Sequence, residues 1–412
     1  MRPVKRKAKH VPASMGARAA VVTSGAGGAS SVSLAEAALE TLQPAAAAEH
    51  FRAALTERPD DPDVLDALGE VLIQLDDPVG ARAAFERSAV VAPSAGFAKW
   101  MYLGQLSRGN DAVEHFTRGL GVINARLDAG ATGQDAAKLR RRLSEAFCSL
   151  AELFLTDLCD EADAEPRCAM HAASALEADA GNPEAHLVNA NLRLCQKAPA
   201  EAAVFMRRAC ELMRALEDDE SEDEGGEVSG GGAGAGGGAS AKAARPALPA
   251  HVLALGMPSM DVRLDAARTC MEMELYDEAS HLFDRLLGED DTNMEVWFLA
   301  GEAALLGGDA ELAVDLLTTA DAMVSAALAA SGSKRVGRSV VLAASAAASA
   351  ASSVQFSSEA IEALIATPIS SLAEQSSMIR ALLAKAQETL TAAGSGAQAA
   401  AGEGREDDDM AL

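Results

Sequence analysis

Pro62-Asp-Val-Leu-Asp-Ala-Leu-Gly-Glu-Val-Leu-Ile-Gln-Leu-Asp-Asp-Pro-Val-Gly-Ala-Arg-Ala-Ala-Phe-Glu-Arg-Ser-Ala-Val-Val-Ala-Pro93 is the stretch that decides the fold. Leu65, Leu68, Gly69 and Leu72 recur at helical spacing, which predicts one amphipathic helix. Ala81, Phe85 and Ala89 predict a second, closed by Pro93, which lacks the amide hydrogen and cannot continue a helix. Just upstream, Ala47, Phe51, Ala54, Leu55 and Pro59 repeat the second half of this pattern. Phe51 to Phe85 and Pro59 to Pro93 are both 34 residues apart, so two independent landmarks give one period.

The period returns further along. Ala175 and Ala209 are 34 residues apart, with Asn182-Pro183 as the turn between and Ala202-x-x-x-Met206-x-x-Ala209 as a second helix. Ala279-x-x-x-Phe283-x-x-Leu286 is echoed 34 residues later by Ala313-x-x-x-Leu317-x-x-Ala320, with Trp297, Ala300 and Gly301 between them. A helix pair with a small residue in the first helix, an aromatic in the second and this period is the tetratricopeptide repeat. One pair cannot bury its own apolar face, so such pairs must stack. The expected fold is all-α: a tetratricopeptide-repeat superhelical solenoid with disordered termini and one disordered acidic and Gly-rich insertion.

One unit departs from the period. Phe97-Ala-Lys-Trp-Met-Tyr-Leu-Gly104 reads as a first helix and Ala112-x-x-x-Phe116-x-x-Gly119 as a second. Gly104 to Ala112 is eight residues, against twelve from Gly69 to Ala81, so this unit is shortened. Lys138 to Leu158 reads as a long helix with Ala146, Ala151 and Phe154 inward, and its cluster Lys138, Arg140, Arg141 and Arg142 as a solvated face.

Glu217 to Glu227 carries eight carboxylates and passes into a Gly/Ala stretch from Gly230 to Gly238. Such a segment has almost nothing to bury. Its formal G-x-G-x-x-G match at Gly232, Gly234 and Gly237 has neither a strand before it nor a helix after it, so no dinucleotide site is expected. The resulting organisation is a basic terminus over 1–31, repeats over 32–216, the insertion over 217–247 and further repeats over 248–325. An Ala/Ser-rich segment with capping helices follows over 326–393, and an acidic tail over 394–412.

The composition limits the functions available. Hydrophobic residues make up 49% of the 412, but aromatics only 3%, as helices packed through small side chains require. The formal net charge is -26. Phosphate binding needs clustered Lys and Arg, so direct nucleic-acid binding is not expected, and a basic protein or peptide is the complementary partner. The six cysteines form no C-x-x-C pair and read as small apolar side chains in helix interfaces. Met1 to Lys9 lacks the apolar core of a secretory signal. Ser339 to Ser358 reaches spanning length but is mostly Ala and Ser, so no membrane helix is expected. The seven histidines show no metal-ligand spacing, and no phosphate loop or nucleophile elbow is present. The expectation is a non-enzyme without cofactor or metal.

Register along the first helices selects candidate groove residues. Positions two, five, nine, twelve and thirteen face inward in this repeat. From Pro62 they are Asp63, Asp66, Glu70, Ile73 and Gln74; from Pro183 they are Glu184, Leu187, Asn191, Leu194 and Cys195. From Met260 they are Asp261, Leu264, Arg268, Met271 and Glu272, and from Met294 they are Glu295, Phe298, Glu302, Leu305 and Leu306. The pattern combines acidic residues with apolar ones. Repeats that hold the C-terminal Glu-Glu-Val-Asp of heat-shock chaperones carry Lys and Asn at the fifth and ninth places. Here Asp66 and Glu70 would repel that carboxylate, so a basic, extended client is expected.

The stretch from Phe97 through Trp100 and Gly104 to Phe116, and the stretch Tyr276-Asp-Glu-Ala to Glu295-Val-Trp-Phe-Leu-Ala-Gly301, resemble a eukaryotic family: the assembly chaperones of large-subunit ribosomal protein four. The resemblance spans roughly residues 34 to 323. It implies capture of a newly made, basic ribosomal protein in the groove and escort into the nucleus for large-subunit assembly, hence a cytoplasmic and nuclear distribution. The basic start Lys5, Arg6, Lys7 and Lys9 is then either a signal for a nuclear import receptor or a solubilising terminus. The alternative reading of the whole chain is a tetratricopeptide-repeat adaptor or scaffold subunit of a multiprotein complex.

Overall fold

Proline, a capping acceptor or both start many of the helices. Pro44, Pro62, Pro78, Pro183 and Pro199 each take a first helical position, where no amide hydrogen is required. The side chains of Asp61, Asp77, Asn182 and Asn293 accept hydrogen bonds from free N–H groups in the first turn. The computed structural model describes residues 30–223, 257–331 and 369–403, and these form helices with no strand among them.

The chain divides into two compact units, Met1–Ser259 and Met260–Leu412. The first holds α1 (Ser31–Glu40), α2 (Pro44–Glu57), α3 (Pro62–Gln74), α4 (Pro78–Val91), α5 (Ala98–Leu106), α6 (Gly109–Asp128), α7 (Gly133–Leu155), α8 (Ala164–Ala178), α9 (Pro183–Cys195) and α10 (Pro199–Asp223). The second holds α11 (Met260–Glu272), α12 (Tyr276–Glu289), α13 (Met294–Gly307), α14 (Ala310–Ser331) and α15 (Ile369–Glu403). In both units each helix packs on the next, and the pairs α3/α4, α9/α10 and α13/α14 are among the most extensive.

Packing inside a pair rests on one repeated contact. A Cβ on Gly69 would stand 2.5 Å from the Phe85 ring, and one on Gly301 2.6 Å from Leu317. Phe85 is wholly buried and stacks on Tyr102 of the following pair, with centroids 4.8 Å apart and planes within 7°. The same ring therefore closes its own pair and joins the next.

A second repeated device ends the first helices. Leu42, Asp76, Lys197, Glu274 and Gly308 all have positive φ, between 55° and 93°. At each, two hydrogen bonds close the helix end; Asp77 N–H, for example, donates to Leu72 O and Asp76 N–H to Ile73 O. These are Schellman turns, a geometry in which glycine is the unstrained residue. Four of the five positions are not glycine.

Several expectations change here. Arg141, read as solvated, is 3% exposed: it pairs with Asp179 at 3.3 Å and donates to Gly181 O at 3.2 Å. Lys138 and Arg140 are exposed as expected. Of the cysteines, Cys159 and Cys195 are exposed, and the other four are buried. Helix α10 runs through Asp223, so helical backbone enters the acidic run that was expected to open the insertion at 217; glutamate is a good helix former. Residues 224–256, with the Gly-rich stretch, lie outside the described residues. Helix α14 continues to Ser331 on an Ala-rich sequence, and α15 reaches Glu403, past the expected start of the tail at 394. Within α14, Ala310–Ala329 is long and apolar enough to cross a membrane, but half of it is buried in the packing of this unit. Ser339 to Ser358 lies outside the described residues.

Candidate binding groove

Two ion pairs bind neighbouring first helices side by side, one in each unit. In the first unit Lys99 of α5 reaches Asp66 of α3 at 3.5 Å and donates to Ser88 Oγ of α4 at 2.9 Å. Lys99 is fully buried and Asp66 keeps a 22% exposed side chain. Burial raises the Asp66 carboxyl above the ordinary carboxylate range, outweighing the Ser88 hydrogen bond and the Lys99 charge that favour its ionised form. In the second unit Arg268 of α11 donates to Glu295 of α13 at 2.7 Å and to Asp265 at 3.0 Å.

Two of the expected groove acids therefore have partners within the chain. Asp66 and Glu295 are already engaged by cations of this chain, so neither offers a free charge to a client. The face is also less uniformly acidic than the register suggests. Arg142 of α7 pairs with Glu145 at 2.7 Å and lies near Tyr102. Burial pushes the Tyr102 hydroxyl far above its usual range, and the nearby Glu70 adds to the shift, so Tyr102 stays neutral. Lys99, Arg142 and Arg268 are the residues of this face whose roles the sequence reading missed. For Lys99 and Arg268 the signal was a cation one helix-to-helix step from a predicted acid, which only the packing reveals.

The remaining candidates sort by whether the fold already explains them. Asp63, Glu184, Asp261 and Glu295 all stand in the first turn of their helices, where the helix dipole stabilises a carboxylate without any ligand. Glu302, in the middle of α13, and Glu272, the last residue of α11, have no such reason. A carboxylate at a helix C-terminus opposes the dipole, at a cost of about 0.3–1 kcal/mol. Neither Glu272 nor Glu302 has an ion-pair partner among the described residues. Asn191 and Cys195 are exposed on α9, beside the buried Leu187. Phe298 is half-buried and packs with the clusters holding Ile379 and Ala386 of α15, so much of its ring is used within the second unit. Lys5, Arg6, Lys7 and Lys9 lie outside the described residues. Among the described residues no group of three His, Cys, Asp or Glu is placed to hold a metal ion.

Comparison with known proteins agrees with this architecture. The tetratricopeptide-repeat family profile matches residues 32–96 and 264–327. A protein of Schizosaccharomyces pombe named probable assembly chaperone of rpl4 is 28% identical over 59% of this chain and 63% of its own length. Another of that name, from Emericella nidulans, is 24% identical over 58% of this chain and 53% of its own. The match thus spans less than two thirds of either relative. Among solved structures, one of residues 1–338 of the assembly chaperone of RpL4 superposes with a TM-score of 0.51 at 26% identity, covering 67% of this chain and 95% of that one. The chain is a tetratricopeptide-repeat protein that resembles these chaperones.

Proposed function

We propose that this tetratricopeptide-repeat protein is a dedicated chaperone for a newly made basic ribosomal protein, the counterpart of large-subunit protein four. The observation that carries the reading is the shared fold and sequence with the solved chaperone of RpL4 over nearly all of that structure's length. The inner faces of the first helices hold an extended basic segment of the client. Glu272 and Glu302 supply charge that the fold does not itself consume, and exposed polar residues such as Asn191 supply hydrogen bonds. Apolar positions contribute most of the retained affinity, while charge steers encounter and rejects wrong partners. The client is then escorted to the nucleus, with Lys5, Arg6, Lys7 and Lys9 presented to an import receptor.

Binding of a purified basic segment of the ribosomal protein, titrated with salt, tests this. Affinity should fall steeply as salt rises and drop with Glu272→Lys and Glu302→Lys, because exposed charges are screened. Failure to bind rejects the chaperone reading. Binding indifferent to both salt and charge reversal favours an adaptor within a larger complex instead.

A further inference from the structure

Helix α6 is 20 residues long, against 14 for α4, and its additional length carries Ala125 and Arg126, which follow Val122 on the helix. Between this extension, Pro93 and the edge of Trp100 lies an open cleft of about 530 Å³, lined mainly by apolar atoms. Trp100 is fixed there: its indole N–H donates to Pro93 O at 2.9 Å. Two guanidinium groups flank the cleft. Arg118 lies 5.1 Å from the centre of the Trp100 ring and Arg126 5.6 Å from that of Phe97. Stacking on an aromatic face holds a guanidinium in place while leaving its N–H edge free to bind carboxylates.

Both charged side chains that line the cleft are cations. The chain carries 61 Asp and Glu against 35 Lys and Arg, so an exposed arginine ordinarily finds a carboxylate nearby. Arg118 pairs with Glu114 one helical turn away. Arg126 has no ion-pair partner among the described residues. The rings of Trp100 and Phe97 thus hold two cations beside an apolar cleft. This arrangement does not complement a basic client.

We propose that this cleft is a second docking site, for a short segment of a partner protein that combines apolar side chains with one or two carboxylates. The apolar side chains fill the space over Trp100 and Val122, and the carboxylates meet Arg126 and displace Glu114 from Arg118. The inference does not depend on the identity of the groove's client. It makes the protein a two-partner module, with one surface for a basic chain and another for an acidic one.

Fluorescence polarisation on the full chain provides the test, with a labelled peptide of alternating aspartate and leucine and a lysine–leucine peptide of equal length as control. The aspartate–leucine peptide should bind, and R118E/R126E should weaken it by roughly tenfold, since exposed rim charges act mainly through steering and modest pairing. Ala125→Trp, which fills the cleft without altering charge, should weaken it as well. The lysine–leucine peptide should lose affinity with neither variant. No binding, or binding unchanged by both variants, overturns the proposal. Binding that appears only once residues 404–412, which include Glu406 to Asp409, are deleted would assign the cleft to the chain's own acidic tail and overturn the partner reading.

Discussion

Gly104 and Phe116 are in closest approach across the shortened pair α5/α6: a Cβ on Gly104 would stand 2.7 Å from the Phe116 ring. In the full-length pair the corresponding residues, Gly69 and Phe85, are 16 apart, whereas Gly104 and Phe116 are 12 apart. Three of the missing residues come from the end of the first helix and one from the connecting loop, while Phe85 and Phe116 both stand seven residues beyond the start of their helices. Helix α5 keeps only nine residues and ends at Ser107 without the positive-φ turn used by five other first helices. The repeat tolerates this deletion and keeps its central contact.

Gly104→Ala and Gly69→Ala should therefore destabilise the protein by about 1–3 kcal/mol each, the usual cost of forcing a methyl group into a packed interface. Urea unfolding measures the change. Pairing Gly104→Ala with Phe116→Leu should recover part of the loss, because the smaller side chain vacates the space the methyl needs. Equal losses in the single and double variants would contradict the contact.

The positive-φ turns give a prediction of opposite sign. Asp76→Gly and Glu274→Gly should each raise stability by up to about 1 kcal/mol, since glycine adopts the left-handed region without the steric penalty of a side chain. The gain is partly offset by the greater freedom of glycine in the unfolded chain. A rise in melting temperature for both variants, and a fall for Gly308→Ala at the equivalent turn, is the expected pattern.

Lys99 and Asp66 should be unequal partners under mutation. Asp66→Ala leaves a fully buried ammonium with only Ser88 Oγ beside it, within the range of about 3–5 kcal/mol typical of a stranded buried charge. Lys99→Met leaves a carboxyl that burial already inclines toward its neutral form and that retains contact with solvent, so it should cost less. A double-mutant cycle followed by denaturation separates the two. A client-binding defect in an Asp66 variant would thus report lost folding before it reported lost groove charge.

Acid should weaken the first unit through its histidines. His171 stacks against Phe147 and Phe154, at 6.0 and 5.8 Å, and burial lowers its pKa, with Arg167 adding to the shift. Burial also lowers His115 and His186. In the unfolded chain these rings protonate near the ordinary value of about 6.5. The folded state resists protonation, so stability present above that pH is lost as pH falls from 6.5 toward the lower folded values. Asp66, raised in the folded state, acts in the opposite sense. The melting temperature should fall between pH 7.5 and 5.5, and His171→Phe should reduce that fall.

The sequence determined the repeat, its period and its helix-pair unit. Gly69, Phe85 and Pro93 recur because a packed helix pair requires a small residue, a large one and a stop at fixed spacing, and those demands are local. It also showed that the pair at Trp100 is four residues short. What it could not show was which charges the fold consumes. Asp66, Glu295 and Arg141 look like surface residues in a one-dimensional pattern, and each is engaged by a residue at least 27 positions away. The Schellman turns were equally hidden, because Leu42, Asp76, Lys197 and Glu274 share a backbone angle and no side-chain chemistry. The cleft over Trp100 is bordered by the added length of α6. Long-range pairing, backbone conformation and the relative lengths of neighbouring helices belong to the packed chain, and they decided which acids are paired within the fold and where the cleft opens.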